Sequence, residues 1–192
     1  MHKLLQRLIL DHQRLAVLLN ILERQLNAFH VGNEHDLDLV CELVDYIKAY
    51  EDQVHHPTED LIFAHFKELT QTFTLIETSN IPETLKTIQN LQEQHQILAG
   101  MTKRFHNILD AVMQGDVIPR QEVENQGRSL IQILRNHINL EEQEVFADID
   151  TKFSSEDWEK LEPNIPEFAN PIFEKPDTAR FSALLRHLVQ TQ

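Results

Sequence analysis

The sequence predicts an all-α fold: an up-down-up-down four-helix bundle with a short helical extension at its C-terminal end. Three observations predict it. Four long segments carry apolar residues at three- and four-residue spacing, which stripes one face of a helix. Only four glycines occur in 192 residues while Leu, Gln, Glu and Ile are plentiful, a composition that favours helix over sheet. The connections between the segments are short, which makes consecutive helices antiparallel neighbours.

The first helix runs from about Leu4 to Phe29 on a stripe that includes Leu5, Leu8, Leu15, Leu18, Leu22 and Leu26. His30-Val31-Gly32-Asn33 ends it, with Gly32 as the stop. The second runs from about Asp36 to Thr70. The third runs from about Pro82 to Gln114, and Pro82 suits a first helical turn because its missing N–H is not needed there. Gly115-Asp116 closes it, and the fourth runs from about Pro119 to Asp150. Ser154-Ser155-Glu156-Asp157 then reads as a helix N-cap, opening a short helix through Leu161. Pro163, Pro166, Pro171 and Pro176 mark an irregular connector, and Phe181 to Leu188 reads as a last short helix. Residues 1–150 thus form the bundle, and residues 151–192 an extension docked on it.

Charge narrows the partners. The formal net charge is −14, so the surface repels phosphate backbones and anionic lipid. Neither nucleic acid nor membrane is expected to bind. No apolar run approaches the ~18 residues of a membrane span, and the charged start, Met1-His2-Lys3-Leu4-Leu5-Gln6-Arg7, does not suit a secretory signal. The single cysteine, Cys41, cannot form an internal disulfide and fits packing in a reducing compartment. A cytoplasmic location is the expectation.

The informative feature is a repeat. Asp11-His12-Gln13-Arg14-Leu15-Ala16 on the first helix matches Gln94-His95-Gln96-Ile97-Leu98-Ala99 on the third. His55-x-x-x-Glu59 followed by Phe63-Ala64 on the second matches His137-x-x-x-Glu141 followed by Phe146-Ala147 on the fourth. His12 and His55 are 43 residues apart, and His95 and His137 are 42 apart. The chain is two helical hairpins of one design.

Helix rise tests whether these side chains could meet. At ~1.5 Å per residue, His12 and His55 fall roughly 26–29 Å from the first hairpin turn. His95 and His137 fall roughly 27–29 Å from the second. All four helices bring their candidates to one layer, and a spacing of four puts each His-Glu pair on one helix face. Two carboxylates and four imidazoles converging in a core would cost several kcal/mol per charge without compensation, which a cation supplies. Imidazole with carboxylate and no thiolate shifts the choice toward Fe or Mn. Six ligands, two of them able to bridge, make a dinuclear centre.

With His12, His55-x-x-x-Glu59, His95 and His137-x-x-x-Glu141 in this register, and the phrase His55-His56-Pro57-Thr58-Glu59-Asp60, residues 1–150 resemble the hemerythrin family, specifically bacterial hemerythrin-like (HHE cation-binding) domains. The resemblance implies a non-haem di-iron centre, with two irons inside the bundle and Glu59 and Glu141 as bridging ligands. Two departures stand out. The oxygen-carrying members have a second His one turn after the third-helix ligand, where this chain has Ala99. They also place the fourth-helix carboxylate five residues after its His, which would select Glu142, whereas the internal repeat selects Glu141. The ligand set is more like that of di-iron proteins that repair iron–sulfur clusters and handle nitric oxide, without their N-terminal cysteine-bearing segment.

Several residues stay open at this level. His56 could complete an open coordination position or pair with Asp60. Pro57 removes a helix hydrogen bond and crowds the Gln53 carbonyl, so it either aims His55 or merely interrupts the helix. Tyr46 and Tyr50 are either packing residues or a hydrogen-bond or electron source for the centre. Phe63, Phe66 and Phe146 are expected as core beneath it, and His2, His30, His35, His65, His106 and His187, which lack the repeat register, as surface or incidental. The function expected is binding or sensing of O2, NO or redox state. The alternatives are a di-iron peroxidase, oxidase or NO-handling enzyme, or iron supply and storage, so enzyme status stays undecided. The partner expected is a small diatomic ligand, and a homodimer contact through the tail is left open.

Overall fold

A computed structural model describes residues 1–33, 35–74, 83–166 and 168–190 of the chain. All the regular structure in it is helical. Helix α1 spans Lys3–Val31. The second arm of the bundle is composite: α2 (Leu37–Tyr46), a π-helical stretch (Ile47–His55) and α3 (His56–Thr74). The third and fourth arms are α4 (Glu83–Met113) and α5 (Arg120–Glu144). Then follow α6 (Phe146–Lys152), α7 (Ser155–Leu161), a 3-10 turn (Glu162–Asn164) and α8 (Ser182–Gln190). The long helices pack as the four-helix bundle that the periodicity predicts.

The helix ends follow local chemistry. The His2 side chain accepts the Leu4 N–H at the start of α1. Gly32 ends α1 with φ of 73°, a left-handed conformation that costs glycine little. The Asp36 carboxylate accepts the Leu39 N–H at 3.0 Å and opens α2. At α7 the Ser154 hydroxyl and the Asp157 carboxylate form a reciprocal capping box, which places the cap expected in 154–157 at Ser154. The reading of Pro82 as a first-turn residue lies outside the described residues.

Two arms are interrupted: the second next to Pro57, where a disturbance is expected, and the fourth, which is expected to be continuous. Pro57 has no N–H to give, and its ring crowds the turn behind it. The stretch before it is widened into π-helix, where the His56 N–H reaches back to the Glu51 carbonyl. The Thr58 hydroxyl also donates to the Val54 carbonyl, at 2.7 Å. The fourth arm breaks at Val145, whose φ of −120° leaves the helical region, and restarts as α6.

The core is split by a polar layer. One apolar cluster gathers Leu15 to Leu26, Tyr46, Tyr50, Val54, Leu98, Phe105, Leu130 and Leu134. The other gathers Leu4, Leu5, Leu8, Ile62, Phe63, Phe66, Leu91, Val145 and Phe146. On each arm the changeover falls at the same place: between Leu8 and Leu15, Val54 and Ile62, Leu91 and Leu98, Leu134 and Val145. Those intervals contain His12, His55, Glu59, His95, His137 and Glu141. Each large apolar side chain buried on either side contributes ~1.5–3 kcal/mol, and together they hold a layer that polar burial alone would disfavour.

The segment after residue 152 packs on the bundle. The Glu42 carboxylate accepts the Ala183 and Leu184 N–H groups at 3.1 and 2.8 Å, capping α8. Arg180 grips Asp45 with two nitrogens at 2.6 and 2.9 Å. Buried Asn170 donates to the Tyr46 hydroxyl at 2.9 Å. Among the described residues no helix is long and apolar enough to cross a membrane.

Candidate metal centre

The six residues selected by the repeat come together. All are buried, from 0% exposed at Glu59 and Glu141 to 5% at His95. The Glu59 carboxylate has Oε1 at 3.5 Å from His12 Nε2 and 3.2 Å from His55 Nε2, and Oε2 at 3.5 Å from His95 Nε2. Glu141 mirrors it, with Oε2 at 3.4 Å from His12 Nε2 and Oε1 at 3.6 and 3.1 Å from His95 and His137 Nε2. Each carboxylate turns one oxygen toward His12 and the other toward His95. The layer thus has two halves, and both glutamates span them.

The outward ring nitrogens are held from behind. His12 Nδ1–H donates to Glu142 at 2.9 Å, His95 Nδ1–H to Asp60 at 3.0 Å, and His137 Nδ1–H to Gln94 at 3.0 Å. His55 Nδ1 stands 3.8 Å from Asp11 Oδ2, and Asp11 also accepts the Tyr50 hydroxyl at 3.1 Å. An imidazole that donates from Nδ1 presents Nε2 as a lone pair when neutral. This is the orientation that metal-binding histidines take from their outer partners.

Burial and charge leave specific atoms unpaired. His12 Nε2 and all four oxygens of Glu59 and Glu141 are buried without a hydrogen-bond partner. Burial alone would lower the His12 imidazole, yet Glu141, Glu142 and Glu59 hold it well above its usual range. His55 is raised to about 10 against the same burial by Glu59 and Glu51, and His95 to about 11 by Asp60, Glu141 and Glu59. Burial also opposes ionisation of Glu59, but the imidazoles hold its carboxyl well below the ordinary range. Orphaned carboxylate oxygens facing inward-pointing imidazole nitrogens suit cations between them.

His56 joins the layer. One ligand atom each from His56, Glu59, His95 and His137 lies within 4.8 Å of the others, and His12, His55 and Glu59 form a second such group. The His56 ring stacks on His95 with centroids 4.5 Å apart. Burial, then the charge on His95, drives its pKa well below the usual value, which keeps a lone pair available. It does not pair with Asp60, which instead holds His95. It leans toward Asp52, 3.6 Å away. The imidazole that Ala99 does not offer from α4 is therefore supplied from the second arm.

Glu141 turns inward while Glu142 stays on the outer side of His12. Phe146 stacks on His12 at 5.7 Å and Phe63 on His95 at 6.2 Å, and Phe66 is buried in the same apolar cluster, in keeping with their reading as core. Tyr46 and Tyr50 are wholly buried and stack on each other 5.6 Å apart, with Tyr50 reaching the layer only through Asp11. Of the other histidines, His2 stacks on Trp158, His30 pairs with Glu124, His65 with Asp157, and His106 with Asp110; none enters the layer.

Sequence reasoning missed Glu51 and Asp52. Glu51 is wholly buried and Asp52 partly so, and desolvation pushes each carboxyl up to about 7. The signal was present for Glu51, since Glu51-x-x-x-His55-x-x-x-Glu59 continues the four-residue step backward.

A family model described as the hemerythrin HHE cation binding domain matches residues 3–149. No curated protein and no solved structure matches the chain.

Proposed function

This chain belongs to the hemerythrin HHE cation-binding family, and we propose that its polar layer holds two non-haem irons and binds or senses a neutral diatomic ligand, O2 or NO. The observation that carries the reading is the pair of carboxylates, Glu59 and Glu141, each with one oxygen toward either half of the layer. His95 and His137 would hold one ion together with His56, and His12 and His55 the other. Imidazole with carboxylate suits iron, and no sulfur ligand stands in the groups. Bound iron supplies a reducible cation with room for an exogenous ligand.

The protein's own contribution is selection. The ligand residues are buried and their walls are Phe63 and Phe146, so a charged or bulky substrate would pay heavily to enter. A small neutral molecule would not. Glu142, Asp60 and Gln94 fix the three rings they hold and keep Nε2 facing in.

One observation favours an enzymatic reading. The His12–His55 half has one imidazole fewer than the other, which leaves more room there for a ligand that reacts. Metal content by mass spectrometry on anaerobically purified protein, then an optical spectrum as O2 or NO is admitted, tests both. About two irons per chain, with bands that reverse under vacuum, support binding or sensing. Bands that decay with consumption of O2, peroxide or NO over many cycles support the enzyme. A folded chain that takes up no stoichiometric iron defeats both.

A further inference from the structure

We infer that Glu51 is a third carboxylate ligand of this centre, serving the ion on the His12–His55 side and making the two metal positions chemically unequal. The inference rests on the metal reading above, and it concerns a residue outside the repeat.

Glu51 is wholly buried, and neither of its oxygens has a hydrogen-bond partner. Leaving a carboxylate in such a place costs several kcal/mol unless a cation or a proton compensates it. The charged groups that act on it are His55, Asp11, His12 and Glu59: His12 and His55 make up one half of the layer, Asp11 stands behind His55, and Glu59 spans both halves. Its backbone position fits the same assignment. The Glu51 carbonyl receives the His56 N–H, so Glu51 lies one wide turn behind the His55-His56 pair. At i−4 from His55 and i−8 from Glu59, it shares their side of the arm.

The layer has a place for it. The half that contains His56, His95 and His137 offers three imidazoles besides the bridging glutamates, while the other half offers His12 and His55. A metal that takes about six donors in octahedral geometry is short of protein ligands on that side. The second hairpin has no equivalent: the residue four before His137 is Ile133. Glu51 therefore adds a hard oxygen donor to one half only. An imidazole-rich position beside a carboxylate-rich one binds its two ions with different strength, and the carboxylate-rich one tolerates Mn2+ better.

The test compares wild type with Glu51→Gln and Glu51→Met, each loaded anaerobically with Fe2+ and separately with Mn2+. The readouts are ions per chain by mass spectrometry, the rate of loss to a chelator, and the melting temperature with and without metal. Both variants remove a buried acid that is unpaired without metal, so their metal-free forms should melt no lower than wild type. With metal, the wild type should hold about two ions. The variants should keep one and lose the second at least about tenfold faster, with the larger effect for Mn2+. Two ions in the variants with unchanged release would overturn the inference and leave the metal reading intact. A metal-free variant that no longer folds would also overturn it, by making Glu51 structural. No metal in wild type would instead defeat the underlying reading.

Discussion

His95 and His137 aim their Nε2 atoms at each other across 3.1 Å from neighbouring helices. That approach suits either a single shared proton or two lone pairs on one cation. Exchange of the first state for the second has a stoichiometric cost. His55 and His95 are raised to about 10 and 11 in the metal-free chain, so both rings are protonated at pH 7, and Glu141, Glu142 and Glu59 raise His12 as well. Coordination needs them neutral. Loading the centre at pH 7 should therefore release about two protons per chain or more, read as a dependence of binding heat on buffer ionisation. Release of none would mean that the imidazoles do not take up the metal.

The same groups set the stability of the metal-free protein. His55 and His95 are raised to about 10 and 11, so the stability they supply is complete below the unfolded value near 6.5. It is lost as pH rises through those folded values. Glu51 and Asp52, raised by burial to about 7, also cost stability as pH rises above the ordinary carboxylate range. Glu59 and Glu141 are depressed, so their share is lost as pH falls below that range. The melting temperature of the metal-free chain should peak between about pH 4.5 and 6.5 and decline steadily toward pH 10. Bound metal should flatten that alkaline decline, and an unchanged slope would count against imidazole ligation.

The outer partners offer a gentler probe than the ligands. Glu142 and Asp60 hold the outward nitrogens of His12 and His95. Glu142→Gln and Asp60→Asn should weaken metal binding about ten- to a hundredfold while the chain stays folded. Glu141→Gln should do more, because it removes the charge and replaces one of the two oxygens, which face different halves, with an amide NH2 that cannot ligate. If Glu142→Gln strips the metal and Glu141→Gln does not, the two glutamates have exchanged roles.

Much of this centre was legible in the sequence because the repeat and the helix rise are both long-range rulers. Four histidines at matched distances from two turns can fall at one level, and the split of the core at that level is the same fact seen from its apolar side. What escaped was local. An α-helix turns by ~100° per residue, so His55 facing inward would send His56 to the flank. The π-helical stretch before Pro57 changes that rotation, and both rings end up buried. Apolar periodicity does not distinguish a π stretch from an α-helix over nine residues. Asp52 was invisible for a related reason, since an acid upstream of a histidine pair looks like solvated surface until the turn that packs it is known; Glu51 was legible only as the backward continuation of the four-residue step.

The approach of α1, α4 and α5 away from the layer supplies a control for stability alone. Gly127 sits on α5 where a Cβ would stand 2.6 Å from Leu26 Cδ1 and 2.9 Å from Phe105 Cζ. Both neighbours belong to the apolar cluster and are almost wholly buried, so neither ring nor methyl can swing into solvent. Gly127→Ala gains ~1 kcal/mol of helix propensity but forces the packed core apart at a typical cost of ~1–3 kcal/mol. The net expectation is a lower melting temperature with metal stoichiometry and proton release unchanged. A loss of metal in this variant would show that the polar layer depends on packing two to three turns away, and that the bundle transmits strain to its centre.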